Sequence, residues 1–293
     1  MIYLLFSILT NASIYLIFKW FDRTGIQTFT AIVMNYITAF VLGIFMVGNL
    51  DEALQSASSF PIWTMGGLSL GIIFISIFYL MAITSQKVGV SVTTIASKMS
   101  MALAVLLFLW IDPKEKFTAI KGVAIILAIA GVVFASLRTD GAKFQARALM
   151  WPLLILLGST IIDFGIAYFS GFTTTDNERT LYSCLSFGVA GICGICVLIF
   201  QLVMGKTQMR MRDVMAGMGL GLVNYGSIYF LVQAYYHVGL PRGTVICVNN
   251  LAVVIIAAIA AAFIFKERQT RRNILGILLS VVAICLLAIA DLL

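Results

Sequence analysis

Runs of largely apolar residues, cut by short polar connections, recur ten times along the chain, over Ile2–Phe18, Thr28–Val47, Ile62–Ile83, Val90–Ile111, Ala119–Leu137, Leu149–Ser170, Leu181–Met204, Val214–Tyr236, Gly243–Phe265 and Asn273–Ala290. About 20 such residues in a helix cross ~30 Å of hydrocarbon. Charge gathers in the connections, as in Lys114-Glu115-Lys116 and Lys266-Glu267-Arg268. Pro61, Pro113, Pro152 and Pro241 stand at run boundaries, which predicts first-turn positions where no backbone donor is lost. The pattern predicts an all-α integral membrane protein of ten transmembrane helices. The first run has neither a basic leader nor a small-x-small cleavage site, so it reads as a span and not as a signal peptide. The ten spans leave no stretch over for a soluble domain.

The chain also repeats itself. Trp63–Thr94 lies over Asp213–Thr244 without a gap, matching Met65/Met215, Gly67/Gly217, Leu70/Leu220, Gly71/Gly221, Tyr79/Tyr229, Val88/Val238, Gly89/Gly239 and Thr94/Thr244. With small gaps, Lys114-Glu115 answers Lys266-Glu267 and Gly122 answers Gly276. Five spans thus recur as five spans, and an odd number per repeat turns the second copy over in the membrane. The expected organisation is two inverted five-helix repeats, residues 1–140 and 141–293.

Composition agrees. Hydrophobic residues make up 61% of the chain and charged ones 11%, with mean hydropathy +1.07, whereas a soluble domain carries roughly a quarter charged. The net charge of +7 is spread over loops, which suits anionic lipid headgroups and argues against nucleic acid as a partner. Loops after odd-numbered spans carry thirteen Lys and Arg, against five on the face with both termini. The positive-inside rule then places the termini outside.

A helix ending in Val88-Gly89 or Val238-Gly239, a further span, a Lys266-Glu267-Arg268 loop and a last span opening on Gly276 resemble the EamA-type repeat of the drug/metabolite transporter superfamily. The resemblance covers both halves and is clearest in the second. That family often has a proline early in the fourth span of each repeat, where this chain has Lys98-Met99 and Asn249-Asn250. The resemblance implies a permease whose central cavity is lined by the first, third and fourth helices of each repeat. It also implies termini in the cytoplasm, against the charge count.

Ionisable groups deep in a bilayer are costly and face a cavity or a partner. Lys98 and Asp163 are the two that stand out. From a rise of ~1.5 Å per residue, Lys98 lies roughly 12 Å and Asp163 about 21 Å from the face bearing the odd loops. Asn224 and Tyr225 fall at ~16–18 Å and Asn249 near 20 Å by the same count. Asn11 is also near the midplane, and Asn250 and Tyr229 neighbour these groups on their helices. Polar groups from several spans converging on one depth predict a binding site. The alternatives stay open: Lys98 and Asp163 also fit a structural ion pair, the asparagines fit interhelical bonds, and Tyr225 and Tyr229 fit packing. Asn35 reads as structural, and Gly217, Gly219 and Gly221 read as close helix contacts. Gly89 and Gly239 are expected to act as gate hinges.

Cys193-x-x-Cys196 has no second pair, so no zinc or other metal site is expected, and no cofactor is implied. His237 sits at a span end and reads as interfacial. An intramembrane enzyme would need an activated nucleophile, a metal pair or a carboxylate dyad, which the spans lack. The expected function is therefore a secondary transporter in a bacterial-type inner membrane. It would be a monomer or homodimer among membrane lipids, moving a small polar or zwitterionic metabolite such as an amino acid, with proton coupling as an option. A flippase for a lipid-linked or amphipathic substrate is the alternative.

Overall fold

The computed structural model describes residues 1–111, 117–136, 146–239, 242–267 and 269–290. The described chain is helical, without strands: α1 Ile2–Thr24, α2 Thr28–Phe45, α3 Leu50–Ser58, α4 Ile62–Lys87, α5 Val90–Lys98, α6 Ser100–Ile111, α7 Ala119–Ser136, α8 Ala146–Ser170, α9 Asp176–Val203, α10 Met211–His237, α11 Arg242–Ile264 and α12 Arg271–Ala290. Ten stretches are long and apolar enough to cross a membrane, α5 and α6 together supplying the fourth over Val90–Phe108. The chain is a multi-pass membrane protein. Large apolar side chains such as Trp110, Phe45, Val203 and Phe263 point outward, as a lipid-facing surface requires.

Several helices outrun their apolar runs. The α1 helix continues past Phe18 to Thr24, held by Lys19, whose ammonium donates to the Gln86 carbonyl (2.5 Å), and by Gln86, whose amide donates to the Phe18 carbonyl (3.1 Å). The α9 helix starts at Asp176, five residues before its apolar run, because Thr175 and Glu178 form a capping box. Hydropathy does not register such polar caps. Pro152 corrects the first-turn expectation: it lies inside α8, in the second turn, where it removes one backbone donor. Pro61 does stand immediately before α4. Pro113 and Pro241 lie outside the described residues.

By packing, the chain forms two compact units. One comprises Met1–Trp20, Leu80–Phe164 and Gly226–Leu293, the other Phe21–Tyr79 and Gly165–Tyr225. Each draws on both sequence halves, so the packing follows a different line from the repeat boundary at residue 140.

In the first unit α7 runs along α12, and α11 packs against α5 and α12. Small residues bring α7 and α12 together: a Cβ on Gly276 would meet the backbone of Ala135 and Gly131, and one on Gly131 would meet the Ser280 hydroxyl. Lipid offers no hydrophobic drive between helices, so such close backbone contact is what holds them.

In the second unit α2 runs along α9, and Trp63, Leu70, Leu181, Tyr182 and Cys184 form a buried core. Gly217 and Gly221 press α10 against Ala31, Asn35 and Thr38 of α2, whereas Gly219 has, among the described residues, no neighbour within 4 Å of an added Cβ. Asn35 is wholly buried, and its side-chain amide has no hydrogen-bond partner among the described residues. The short α3 is capped by Asn49, whose side chain accepts from the Glu52 amide (3.2 Å), and it packs on α9 through the buried Ala53.

Candidate functional site

The fourth span is broken. Lys98 ends α5, Ser100 begins α6, and Met99 turns between them with φ −75° and ψ −12°. The Met99 amide still reaches the Ile95 carbonyl (2.9 Å), but the Ala102 amide takes the tighter bond to the Met99 carbonyl (3.0 Å). Side chains supply what the regular ladder loses. The Ser100 hydroxyl lies within bonding reach of both the Ser97 carbonyl and the Asp163 carboxylate of α8. Tyr15 of α1 donates its phenol to the Ser97 hydroxyl (3.1 Å), and the Thr160 hydroxyl approaches the Ser100 carbonyl (3.4 Å) while bonding to Leu156 (2.7 Å). In a segment without bulk water, hydroxyls can bond a bent backbone without adding charge.

Lys98 and Asp163 both belong to this break. Lys98 sits on the last turn of α5, where the carbonyl end of the helix dipole favours a cation. Asp163 bonds the first residue of α6, where the amide end favours an anion. Both are half-buried. They act on one another electrostatically. Among the described residues ion pairs join Arg179 to Asp176 (2.6 Å) and Arg212 to Asp213 (3.7 Å), and Lys98 does not pair with Asp163. The ammonium of Lys98 has no hydrogen-bond partner among the described residues.

The same unit holds a second polar contact. Ser7 of α1 donates to the Asn249 side-chain oxygen (3.0 Å) and lies 3.3 Å from the Ser227 carbonyl. Next to it, the Asn250 amide reaches the Met101 sulfur of α6 (3.5 Å), a weak acceptor. Asn11 is half-buried on α1 and makes no hydrogen bond among the described residues. Tyr229 is exposed and packs edge-on against Phe230 (5.5 Å between centroids).

Of the eight expected pathway residues, six (Lys98, Asp163, Asn11, Tyr229, Asn249 and Asn250) fall in the first unit, whereas Asn224 and Tyr225 fall in the second. Asn224 is buried there, and Tyr225 lies beside Gly43. Hydropathy and depth did not single out Tyr15, Ser97, Ser100, Thr160 or Ser7. The available signal was the pair Ser97 and Ser100 flanking Lys98 inside an apolar span.

The fourth span begins at a clasped turn. Gly89 has φ +142° and ψ 155°. The Val90 amide donates to the Glu267 carboxylate (3.1 Å), and the Gln269 amide donates to the Ser91 hydroxyl (2.9 Å). A carboxylate on a helix N-terminus meets unpaired amides and the positive end of the dipole. Gly239, at the matching turn, has φ +74° and, among the described residues, no atom within 4 Å of an added Cβ. Glu115, which answers Glu267 in the repeat, lies outside the described residues. At the end of α10, His237 is exposed and rests against Tyr3 (5.0 Å between ring centroids).

No protein-family model matches the chain. An uncharacterized protein of Haemophilus influenzae is 26% identical to it over 98% of each chain. The likeness therefore runs the full length, and it carries no activity with it.

Proposed function

We propose that the protein is a secondary transporter of the EamA-like type, moving a small zwitterionic metabolite such as an amino acid across a bacterial inner membrane. The observation that carries this reading is a lysine and an aspartate at one helix break, close enough to interact but not joined as an ion pair. A purely structural pair would be expected to close, because each charge deep in the membrane costs several kcal/mol when left unpaired. Held apart on a cation-favouring and an anion-favouring helix end, they offer one site for a carboxylate and one for an ammonium. Discontinuous helices in transporters place substrate and coupling-ion sites in this way.

The helix pairing supports inverted repeats. The second span packs on the seventh, the fourth on the ninth and the fifth on the tenth, so each contact joins spans of equal rank in the two halves.

The test is uptake of labelled amino acids by proteoliposomes holding the wild-type protein, Lys98→Met or Asp163→Asn. Wild-type uptake above empty vesicles is expected, with a loss of at least about tenfold in each variant. Uptake undiminished in both variants would remove these charges from the pathway. Movement of a labelled lipid without amino-acid uptake would replace the permease reading by the flippase one.

A further inference from the structure

The Ser100 hydroxyl carries one hydrogen and faces two acceptors, the Ser97 carbonyl and the Asp163 carboxylate. It donates to one at a time. We infer that Ser100 couples the protonation of Asp163 to the bend of the fourth span, so that a proton is the ion this site takes up. The inference deepens the transport reading, since it takes Asp163 as part of the pathway.

The bookkeeping closes on these three groups. With Asp163 ionised, the carboxylate is only an acceptor and draws the Ser100 hydrogen to itself, because a bond to a charged acceptor outweighs one to a carbonyl. The Ser97 carbonyl then loses the Ser100 hydroxyl as a donor. When a proton adds to the Asp163 oxygen beside Ser100, that oxygen becomes a donor. Its O–H points at the Ser100 oxygen, and the Ser100 hydrogen turns to the Ser97 carbonyl. No covalent bond other than the new O–H forms or breaks. The second arrangement ties Ser100 back onto the turn before it, and such back-bonding from a serine bends a helix. Protonation therefore clamps the break and ionisation relaxes it.

Among the described residues, the titratable groups facing Asp163 are Lys98 from α5 and Tyr15 from α1. Lys98 gains from the ionised carboxylate and loses that attraction on protonation, so its ammonium is released in the step that clamps the bend. Tyr15 holds the Ser97 hydroxyl and not its carbonyl, which leaves the carbonyl open to Ser100. Thr160, the remaining polar neighbour, approaches the Ser100 carbonyl on the far side of the turn.

The test needs no substrate. Infrared difference spectra of the full chain in nanodiscs, recorded between acidic and alkaline buffer, read the carboxylic-acid stretch and the amide carbonyl bands together. A carboxylic-acid band is expected on acidification and is lost in Asp163→Asn. A companion change in the amide carbonyl region, from Ser97, should titrate with it. In Ser100→Ala the companion should fall at least about fivefold while the acid band persists. Ser100→Thr, which keeps the hydroxyl, should retain both. If Ser100→Ala does not fold, Ser100→Cys, a weaker donor of similar size, should weaken the companion in the same direction. A companion undiminished in the alanine or cysteine variant, or no acid band traceable to Asp163, would overturn the inference. Because transport is not measured, a protein that moves no amino acid could still pass, and a working transporter could still fail.

Discussion

The fourth and ninth spans each follow a turn whose glycine has positive φ, Gly89 and Gly239, and their positions correspond at a spacing of 150 residues. Yet the fourth breaks at Met99, whereas the ninth runs as one helix from Arg242 to Ile264. Neither has the proline that would break a helix outright. The difference lies in where the polar side chains send their hydrogen bonds. At the break, the Ser100 hydroxyl turns back on the Ser97 carbonyl, and a carboxylate from α8 competes for it. At the matching place in α11, Asn249 and Asn250 turn their amides to other helices, to Ser7 and to Met101. An intramembrane helix bends where a side chain can bond its own backbone, and it stays straight where its polar groups find partners across an interface.

The two glycines should show the largest difference. Gly89, at φ +142° and ψ 155°, sits in a region that is essentially glycine-only, and a Cβ would come within 3.3 Å of the Glu267 carboxylate. Gly89→Ala should destabilise by roughly 2–3 kcal/mol. Gly239, at φ +74° with open space around it among the described residues, should lose only about 1 kcal/mol on the same change. Thermal or denaturant unfolding in detergent compares them. Equal losses would make the two turns alike and leave the contrast to the break alone.

The fold was legible because a span announces itself in about 20 apolar residues, and all ten were found with errors at the ends alone. Those errors have a cause. Residues such as Lys19, Asp176 and Glu178 extend helices by capping and clasping, which no hydropathy window registers. Lys98 and Asp163 were legible as costs, since a charge in an apolar run needs a reason. The groups that arrange them were not. Ser97, Ser100 and Tyr15 look unremarkable in a membrane span, and a break without proline leaves no mark on hydropathy. Asn224 and Tyr225 matched in depth, but depth carries no information about which compact unit a side chain belongs to.

The Glu267 clasp comes next in size. Its carboxylate accepts from the Val90 amide at the start of α5 (3.1 Å), so it acts as a cap brought in from another part of the chain. Glu267→Ala should cost about 1 kcal/mol, and Glu267→Gln, which keeps an acceptor but loses the charge, about half of that. Unfolding midpoints measure both. A glutamine variant as damaging as alanine would show that the charge, and not the acceptor, holds this turn.

The smallest expected effect tests the unbroken span. Ser7 donates to the Asn249 side chain at 3.0 Å, and Asn249 is 1% exposed, so Ser7→Ala leaves a buried amide oxygen without this donor. Interhelical bonds in membranes are worth about 0.6 kcal/mol on average, because the separated helices also find partners. A loss of that order is expected. The sharper measurement is a double-mutant cycle, Ser7→Ala with Asn249→Ala, set beside Tyr15→Phe with Ser97→Ala on the broken span, whose bond is of similar length at 3.1 Å. If side-chain bonds across helices simply glue, both cycles should give coupling of about 0.6 kcal/mol. The Ser97 pair adjoins the hydroxyl that Asp163 competes for, so its coupling should change between acidic and alkaline buffer while the Ser7 pair's stays fixed. A Ser7–Asn249 coupling above about 1.7 kcal/mol, the upper end for such bonds, would mean that the straight span depends on its polar contact as much as the broken one does.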